Sequence, residues 1–313
     1  MSRVYEALRQ SELDNGVSPN LLDPDTFLAA STSAAPLTEK PGTGLAWNEV
    51  KSLLPAVREE SRVVTLTESN KLGAEKFRLL RARLRNLRER QQLHKLVITS
   101  AVPNDGKTMV AMNLAVCLAK HTNEKILLLE GDLRKPMLGE HLGIKALPGI
   151  GEWASADETV SKFIYHFDDL QLWILPAGSA PQDPVNILQS SRFLELYKKL
   201  STCFDWIIID APPLLPMADV SFWSRQADGL LLVVREGSTP KAMLQKGLET
   251  LDHPKVIGVV LNGARDVESG YYSRYYYSQR ETHSRRNGQL PVALSSQAAT
   301  NALNSASSPE DNQ

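Results

Sequence analysis

The sequence predicts a protein of the α/β class, in which helices cover both faces of a mostly parallel sheet. Two observations lead to this prediction. Short runs of valine, isoleucine and leucine alternate with segments of helical periodicity, and strands that are apolar along their whole length occur in parallel sheets covered on both faces. A glycine-containing phosphate-binding motif also follows the first of these runs. Together they predict a P-loop NTPase fold with flexible N- and C-terminal segments.

The apolar runs give the predicted strands: Leu96–Thr99, Ile126–Leu129, Leu172–Leu175, Trp206–Ile209, Gly229–Val234 and Val256–Leu261. Segments with helical periodicity lie between them, and the longest are Thr108–Lys120, Asn186–Leu200 and Lys241–Leu251. Because crossover connections between parallel strands are right-handed, the loops that follow the strands meet at one edge of the sheet, where ligands bind. We therefore expect the functional residues in these loops.

The two ends of the chain differ from the middle in composition. Residues 11–44 are rich in serine, proline, threonine, asparagine and aspartate, and residues 282–313 in serine, alanine, asparagine and glutamine. Such segments are typical of flexible chain. We predict an N-terminal helix at Tyr5–Leu8 and a flexible linker within residues 1–60. A P-loop domain is predicted over residues 61–265, and a tyrosine cluster with a flexible tail over residues 266–313.

Charge and cysteine content disfavour several classes of protein. The formal net charge of the 313 residues is −1, whereas a protein that neutralises nucleic-acid phosphates usually carries a basic excess. Cys117 and Cys203 lie in apolar stretches without CxxC spacing, so we expect buried thiols in a reducing compartment. The sequence begins without an apolar leader pattern and contains no apolar run near 18 residues. We expect a soluble cytoplasmic protein that does not bind nucleic acid.

The phosphate-binding motif is SAVPNDGKT, from Ser100 to Thr108. Gly106, Lys107 and Thr108 match the Walker A pattern, although Ala101 takes the place of its first glycine. The glycine lets backbone amides approach the phosphates, the lysine can contact the β and γ oxygens, and the threonine can bind Mg²⁺. A chance Gly-Lys-Thr would lack the flanking strand and helix. The predicted nucleotide-binding residues in this loop are Pro103, Asn104, Asp105, Gly106, Lys107, Thr108 and Met109.

Carboxylates follow two of the predicted strands. Asp210 ends the apolar run WIII, and an aspartate in this place beside a P-loop is the Walker B arrangement that holds Mg²⁺. The alternative is that Asp210 only caps a turn before two prolines. Hard oxygen ligands suit Mg²⁺, so the predicted metal-binding residues are Thr108, Asp132 and Asp210.

Glu130 and Asp132 follow the second strand. They are two residues apart, so on a continuing strand both side chains would point to the same side. Facing the phosphates, they could position metal-bound water and accept a proton from a hydroxyl group. The alternative is a solvated acidic turn whose charge is balanced by Arg134 and Lys135. The predicted catalytic residues are Lys107, Glu130, Asp132 and Asp210.

Three segments, SAVPNDGKT, LLLEGDLRKP and WIIIDAPP, resemble the three signatures of the bacterial tyrosine kinases. The resemblance covers about residues 60–280 and implies ATP and Mg²⁺ as cofactors. The segment AEKFRLLR is similar to the helix through which family members form rings, and the matching residues are Glu75, Arg78 and Arg81. The segment GVVLN resembles a strand of related ATPases whose terminal asparagine, here Asn262, contacts the base.

The sequence departs from the family pattern at two places. The family usually has aspartate where Glu130 stands, and Gly-Glu where Asn104 and Asp105 stand. The longer glutamate shifts its carboxylate by about 1.5 Å, one C–C bond. The related partition and septum-placing ATPases carry a second lysine five residues before the Walker lysine. Val102 occupies that position here, which favours the kinase family.

Five of the eight tyrosines lie beyond the last predicted strand: Tyr271, Tyr272, Tyr275, Tyr276 and Tyr277. No helical or alternating pattern would bury all five. The resemblance implies that they are autophosphorylation sites. From Asn262 to Tyr271 the chain spans nine residues, at most about 30 Å, so the tail could reach its own site or a neighbour's. The alternative is an aromatic patch or a nucleic-acid stacking surface aided by Arg274 and Arg280.

The segment from Lys76 to Arg90 holds seven basic residues. Apolar side chains recur in it at helical spacing: Phe77, Leu80, Leu84 and Leu87. This pattern predicts an amphipathic helix, which serves either as a solvated surface or as the interface that the resemblance implies through Glu75, Arg78 and Arg81. Contact with anionic lipid or nucleic acid is a further alternative.

These observations predict an ATP-dependent tyrosine autokinase in stand-alone form. The resemblance implies a homo-oligomer that works with a membrane polysaccharide copolymerase as its activator, and with a phosphotyrosine phosphatase. It also implies control of exopolysaccharide polymerisation or export, and recruitment of the cytoplasmic protein to the inner face of the membrane by its partner. Two alternatives stay open: a partition or positioning ATPase that phosphorylates nothing, and an ATP-binding regulatory scaffold.

Overall fold

The computed structural model describes residues 45–54, 62–67, 72–144, 147–215, 219–251 and 255–264. Within these residues eight strands form one sheet in the order β1-β4-β5-β3-β6-β2-β7-β8. The strands are β1 (Lys51–Leu53), β2 (Lys95–Ser100), β3 (Ile126–Glu130), β4 (Tyr165–Phe167), β5 (Leu172–Leu175), β6 (Trp206–Asp210), β7 (Gly229–Arg235) and β8 (Val256–Asn262).

The strand pairs are parallel except for β4 with β5, which is the antiparallel pair of the described residues. The predicted α/β class and the mostly parallel sheet are thus confirmed. All six predicted strands are present and differ from the predicted bounds by at most one residue at either end. The sequence did not indicate β1 and β4, because each has three residues and so shows too little periodicity.

The described helices are α1 (Val64–Thr67), α2 (Leu72–Arg90), α3 (Lys107–His121), α4 (Leu138–His141), α5 (Ile150–Ser155), α6 (Pro184–Gln189), α7 (Ser191–Cys203), α8 (Asp219–Gln226) and α9 (Lys241–Glu249). The predicted helix over 186–200 is wrong in one respect, because it is divided into α6 and α7. Ser190 lies between them in extended conformation, and its hydroxyl accepts a hydrogen bond from Phe193 N. A serine in this position is a helix N-cap, so α7 begins there.

The sheet separates two hydrophobic cores. Along β2, Leu96 and Ile98 pack toward α2 and α3, while Val97 packs toward the opposite layer of α5 to α8. This alternation follows from the two-residue period of strand side chains. Because both faces are covered, the strands are apolar throughout, and helix α3 is buried along nearly its whole length between the sheet and α2.

Helix α2 has the predicted amphipathic pattern. Leu84 is buried, and Phe77, Leu80 and Leu87 pack against the core on the same side of the sheet as α3. Both cysteines are buried thiols, as predicted. Among the described residues, no helix combines the length and the hydropathy that crossing a membrane requires.

Several predictions concern residues outside the described ranges. These are the N-terminal helix at Tyr5–Leu8, the linker before residue 45, and the five tyrosines between residues 271 and 277. The domain boundaries at residues 60 and 265 also stay predictions.

Candidate active site

The loop between β2 and α3 has the backbone geometry of a phosphate-binding loop. Gly106 has a φ of 94°, and a Cβ atom built there would lie 2.1 Å from Asn262 Nδ2. Both the positive φ and the close approach therefore require glycine. Helix α3 begins at the next residue, Lys107, so its free backbone amides and the positive end of its dipole point at the loop. This arrangement binds anions.

A cavity of about 1290 Å³ opens over this loop. It is larger than the roughly 300–1,000 Å³ of a typical small-ligand pocket, so it can hold more than one ligand group at a time. The predicted nucleotide-binding residues that line it are Pro103, Asn104, Gly106, Lys107, Thr108, Met109 and Asn262. Asp105 instead points to the far side of the loop, where its Oδ1 accepts a hydrogen bond from Thr239 Oγ1 at 2.8 Å.

The Walker lysine lies between two buried carboxylates. Lys107 Nζ is 2.9 Å from Asp132 Oδ2 and 3.7 Å from Asp210 Oδ1. Burial opposes the charge of Lys107, but Asp210 and Asp132 outweigh that effect, and the pKa of the lysine is raised. Burial raises the pKa of Asp210, although Lys107 counters this rise. The site therefore holds a positive charge where phosphates would enter, and this charge is neutralised by Asp132 in the loop after β3 and by Asp210 at the end of β6.

The residues predicted to hold a metal ion fit that role. Thr108, Asp132 and Asp210 offer oxygen donors, which Mg²⁺ prefers. Asp210 Oδ1 is buried and has no hydrogen-bond partner among the described residues, so it has a lone pair to offer. Within the described ranges, however, no group of three or more histidine, cysteine or acidic side chains could hold a metal ion by itself. A bound Mg²⁺ would thus need phosphate or water ligands as well.

Glu130 does not occupy the position that the sequence predicts. Its side chain is 1% exposed, and its oxygens accept hydrogen bonds from the amides of Met137, Leu138 and Ala177. The expected common orientation of Glu130 and Asp132 is wrong, because β3 ends at Glu130 and the two-residue alternation does not continue. Of the two acids in the described structure, Asp132 lines the cavity and Glu130 does not.

The loop that carries Asp132 is held by residues of α8. Trp223 Nε1 donates a hydrogen bond to Gly131 O at 3.1 Å, and a Cβ atom on Gly131 would lie 2.8 Å from the indole ring. Arg134 forms a bidentate ion pair with buried Asp219, with a shortest distance of 2.7 Å. The alternative of a solvated acidic turn is therefore wrong. Its acids are buried, and Arg134 pairs with α8 instead.

The opposite side of the P-loop is fixed by the last residues of β7 and β8 and by Thr239, which follows β7. Asn262 Nδ2 donates a hydrogen bond to Asp105 O at 2.8 Å, and Arg235 Nη1 donates to Asn104 O at 3.1 Å. The hydroxyl of Thr239 also accepts a hydrogen bond from Arg235 N. Asn262 thus binds the P-loop itself, and its contact with the base of the nucleotide stays a prediction. Sequence reasoning missed Thr239 and Arg235, although both follow a predicted parallel strand at the functional edge.

The helix predicted to mediate assembly is α2, and it carries the three residues that match the family pattern. Arg78 forms an ion pair with Glu75 in the same helix. Arg81 is partly buried, and its Nε and Nη1 atoms have no hydrogen-bond partner among the described residues. Burial lowers the pKa of Arg81. The self-association role of Glu75, Arg78 and Arg81 stays a prediction.

Comparison with known proteins identifies the family. No family model matches the chain. It is, however, 30% identical over 220 residues to the tyrosine-protein kinase YwqD of Bacillus subtilis, in an alignment that covers 69% of this chain and 92% of YwqD. The chain belongs to the bacterial tyrosine kinase family. It is a tyrosine-protein kinase and uses a nucleotide, and the prediction of a kinase is confirmed.

Two further relatives agree with this family assignment. The kinase domain of the Escherichia coli tyrosine kinase ETK has 25% identity and a TM-score of 0.61, and the comparison covers 66% of this chain and 82% of that domain. The succinoglycan biosynthesis transport protein ExoP of Rhizobium meliloti is 31% identical over 193 residues. That match covers 60% of this chain but 24% of ExoP, so this chain corresponds to one part of that relative.

Proposed function

We propose that this bacterial tyrosine kinase uses Mg²⁺ and ATP to phosphorylate the tyrosines of its own C-terminal tail. One observation carries the proposal: Lys107, Thr108 and Asp132 line a single cavity at the start of helix α3, with Asp210 next to Lys107. Phosphoryl transfer requires a cation for the phosphates, oxygen ligands for a metal ion and a base for the acceptor. All three kinds of group lie within this site.

The P-loop would bind the β and γ phosphates through its backbone amides and Lys107. When phosphates enter, the ammonium of Lys107 can exchange its contact with Asp132 for contacts with phosphate oxygens. Thr108 and Asp210 would hold Mg²⁺ together with those oxygens. The metal ion supplies charge neutralisation on the transferred phosphoryl group. The exchange would also release Asp132 from its ion pair.

Asp132 is the carboxylate best situated to receive the acceptor tyrosine. It lines the cavity and is 4% exposed, so a tyrosine that approaches the γ phosphate would meet it in a largely water-free place. Released from Lys107, its Oδ2 could accept the phenolic proton, while Oδ1 keeps the hydrogen bond from Lys135 N. The phenolic oxygen then attacks the γ phosphorus as the bond to the leaving ADP oxygen breaks.

The tail leaves the described structure beside the site. Asn262 ends β8 and lines the cavity, and Tyr271 follows nine residues later. This is a span of at most about 30 Å, so a tail could enter the site of its own chain or of a neighbour. We infer a homo-oligomer in which α2 contributes Glu75, Arg78 and Arg81. Replacing Arg78 and Arg81 with alanine should lower the oligomer mass in light scattering.

We further propose that the kinase acts in exopolysaccharide polymerisation or export. The name of its relative ExoP concerns biosynthesis and transport of such a polymer. A membrane copolymerase would recruit and activate the kinase at the inner face of the membrane, and a phosphotyrosine phosphatase would reset it. Deleting the gene should change the length distribution of the exported polymer. Complementation by the Lys107→Met variant to wild-type length would contradict this role.

A kinase assay separates the proposal from its two alternatives. Purified protein is incubated with Mg²⁺ and labelled ATP, and both the ADP formed and the label in protein tyrosine are measured. The kinase proposal predicts labelled tyrosine in an amount matching the ADP. Continued ADP formation without labelled protein would favour a partition or positioning ATPase, and tight ATP binding without ADP would favour a scaffold.

A further inference from the structure

Glu130 lies where two separate segments of the chain meet the end of β3. Its Oε1 accepts hydrogen bonds from Met137 N at 2.5 Å and Leu138 N at 2.8 Å, and its Oε2 accepts one from Ala177 N at 2.9 Å. Leu138 is the first residue of helix α4 and Met137 is its N-cap, while Ala177 follows β5. One buried carboxylate therefore joins both segments to the strand end.

The first pair of contacts closes a loop around Asp132. The backbone leaves β3 at Glu130, passes through Asp132, and returns at Met137 to the side chain of the residue where it started. Asp132 Oδ1 also accepts a hydrogen bond from Lys135 N inside this loop. The position of Asp132 in the cavity thus depends on a ring that the Glu130 side chain closes.

The contact with Ala177 ties this ring to a rigid part of the structure. Ile150 N donates to Pro176 O and Gly151 N donates to Ala177 O, each at 2.9 Å. Glu152 accepts hydrogen bonds from Gly149 N and Ser179 N, so it bridges the same two segments. A Cβ atom on Gly149 would lie 2.0 Å from Pro176 O. These segments are packed too closely to shift independently.

A general base must be able to reach the proton that it accepts. Both Glu130 oxygens are occupied by N–H donors, the side chain is 1% exposed, and in the described structure Asp132 rather than Glu130 faces the cavity. The geometry is that of a structural residue that joins two segments through hydrogen bonds, and we call this role a brace.

We propose that Glu130 is a positioning residue, which holds the Asp132 loop against the segment after β5, and that Asp132 receives the tyrosine proton. This inference rests on the proposed autokinase activity for its kinetic consequences. The brace itself is a property of the folded chain and can be measured without activity. The family's usual aspartate at this position would then be a poor substitute in this chain.

Side-chain length distinguishes a brace from a base. Glu130→Gln keeps the length and one oxygen acceptor, so it can retain the contacts with Met137 and Leu138 and lose the one with Ala177. Glu130→Asp is shorter by about 1.5 Å and cannot reach both segments. A positioning role predicts that kcat falls by about tenfold in Glu130→Gln and by about 100-fold in Glu130→Asp. A base predicts the reverse order, with Glu130→Asp nearly as active as the wild type and Glu130→Gln inactive.

Hydrogen exchange tests the brace directly. In the full-length protein, the amides of Met137, Leu138 and Ala177 should be protected. Glu130→Asp should lose protection at all three, and Glu130→Gln chiefly at Ala177, while the exposed control Glu195→Gln changes none. In the same preparations, Glu130→Gln should keep the wild-type pH dependence of kcat. Unchanged protection in both variants, or loss of the pH dependence in Glu130→Gln, would overturn the proposal.

The outcomes also separate this inference from the proposed function. A wild-type protein that shows the protection pattern but forms no phosphotyrosine supports the brace and contradicts the autokinase. If Glu130→Asp does not fold, judged by its near-UV circular dichroism, the exchange pattern and pH dependence of Glu130→Gln decide the question alone.

Discussion

The two sides of the cavity are held by different kinds of contact. On the side of β3 the contacts are largely buried: Glu130 accepts three backbone hydrogen bonds, and Arg134 pairs with buried Asp219. On the side of β7 and β8, the P-loop is held by the hydroxyl of Thr239, the amide of Asn262 and the guanidinium of Arg235, in contacts that are partly buried or exposed. A polar contact is electrostatically stronger in a buried, low-dielectric place than near solvent. We therefore expect a rigid acid side and a more adjustable nucleotide side.

This difference matches what each side would do in catalysis. A base and its metal ligands must be fixed to within a fraction of an ångström of their working positions. A loop that surrounds phosphates must instead admit and release a nucleotide in each cycle. Variants on the acid side should therefore lower kcat, and variants on the β7–β8 side should mainly change nucleotide affinity.

Lys107→Met should have the largest effect, because Lys107 belongs to both sides of the site. The variant removes the cation from the phosphates and leaves Asp132 and Asp210 without their counterion. We expect autophosphorylation to fall by at least about 10³-fold. The measurement is the rate of tyrosine labelling at saturating ATP. The exposed Lys246→Met is the control, and a rate within tenfold of that control would contradict the assigned site.

Asp132→Asn should have the second-largest effect. The amide cannot accept the phenolic proton, and such a loss costs about 10²–10⁴-fold in rate. Because the P-loop is untouched, we expect the loss in kcat with the Kd for ATP nearly unchanged. Rapid-quench kinetics together with equilibrium nucleotide titration separate the two quantities. Asp157→Asn, on an exposed site, should change neither. An Asp132→Asn variant that loses ATP affinity but keeps kcat would remove Asp132 from the chemistry.

Gly131→Ala tests the bracing of the acid side from α8. The new methyl group would lie 2.8 Å from the Trp223 ring, and such overpacking costs about 1–3 kcal/mol. We expect a lower Tm and a kcat lower by about tenfold. Gly258→Ala is the matched control, because its Cβ atom would lie an ordinary 3.4 Å from Leu231. Equal stability of the two variants in thermal unfolding would mean that the Trp223 contact is looser than described.

Thr239→Val should give the smallest effect. It removes the hydrogen bond to Asp105 Oδ1 and the acceptor for Arg235 N. A typical hydrogen bond in a protein contributes about 1 kcal/mol, which corresponds to about a fivefold increase in the Kd for ATP. We expect kcat to stay within twofold. Thr202→Val, at an exposed position, is the control. If Thr239→Val lowers kcat as much as Gly131→Ala does, the proposed division between the two sides is wrong.

Much of the fold and part of the site could be predicted from the sequence. The strands were found because burial on both faces makes them apolar throughout, and Lys107, Asp132 and Asp210 were found because they end or follow such strands at one edge. The role of Glu130 could not be found this way. Its partner Ala177 lies 47 residues away, and the pairing depends on where β3 stops.

The other site residues that the sequence did not reveal were missed for the same reason, since their partners are distant in the chain. Trp223 meets Gly131 across 92 residues, and Thr239 meets Asp105 across 134. Such contacts depend on the order of strands and on helix packing, which a local pattern does not contain. The break at Ser190 is different, since a serine before a helix is a local signal. It was overlooked because the apolar periodicity runs through it.

The most direct test of the proposed activity is a map of the phosphorylated residues. The full-length protein is incubated with Mg²⁺ and ATP, digested, and analysed by mass spectrometry, with Lys107→Met treated in parallel. We predict phosphate on tyrosines between residues 271 and 277 in the wild type and on none of them in the variant. Phosphate confined to tyrosines outside this cluster, or equal phosphate in both proteins, would contradict this prediction.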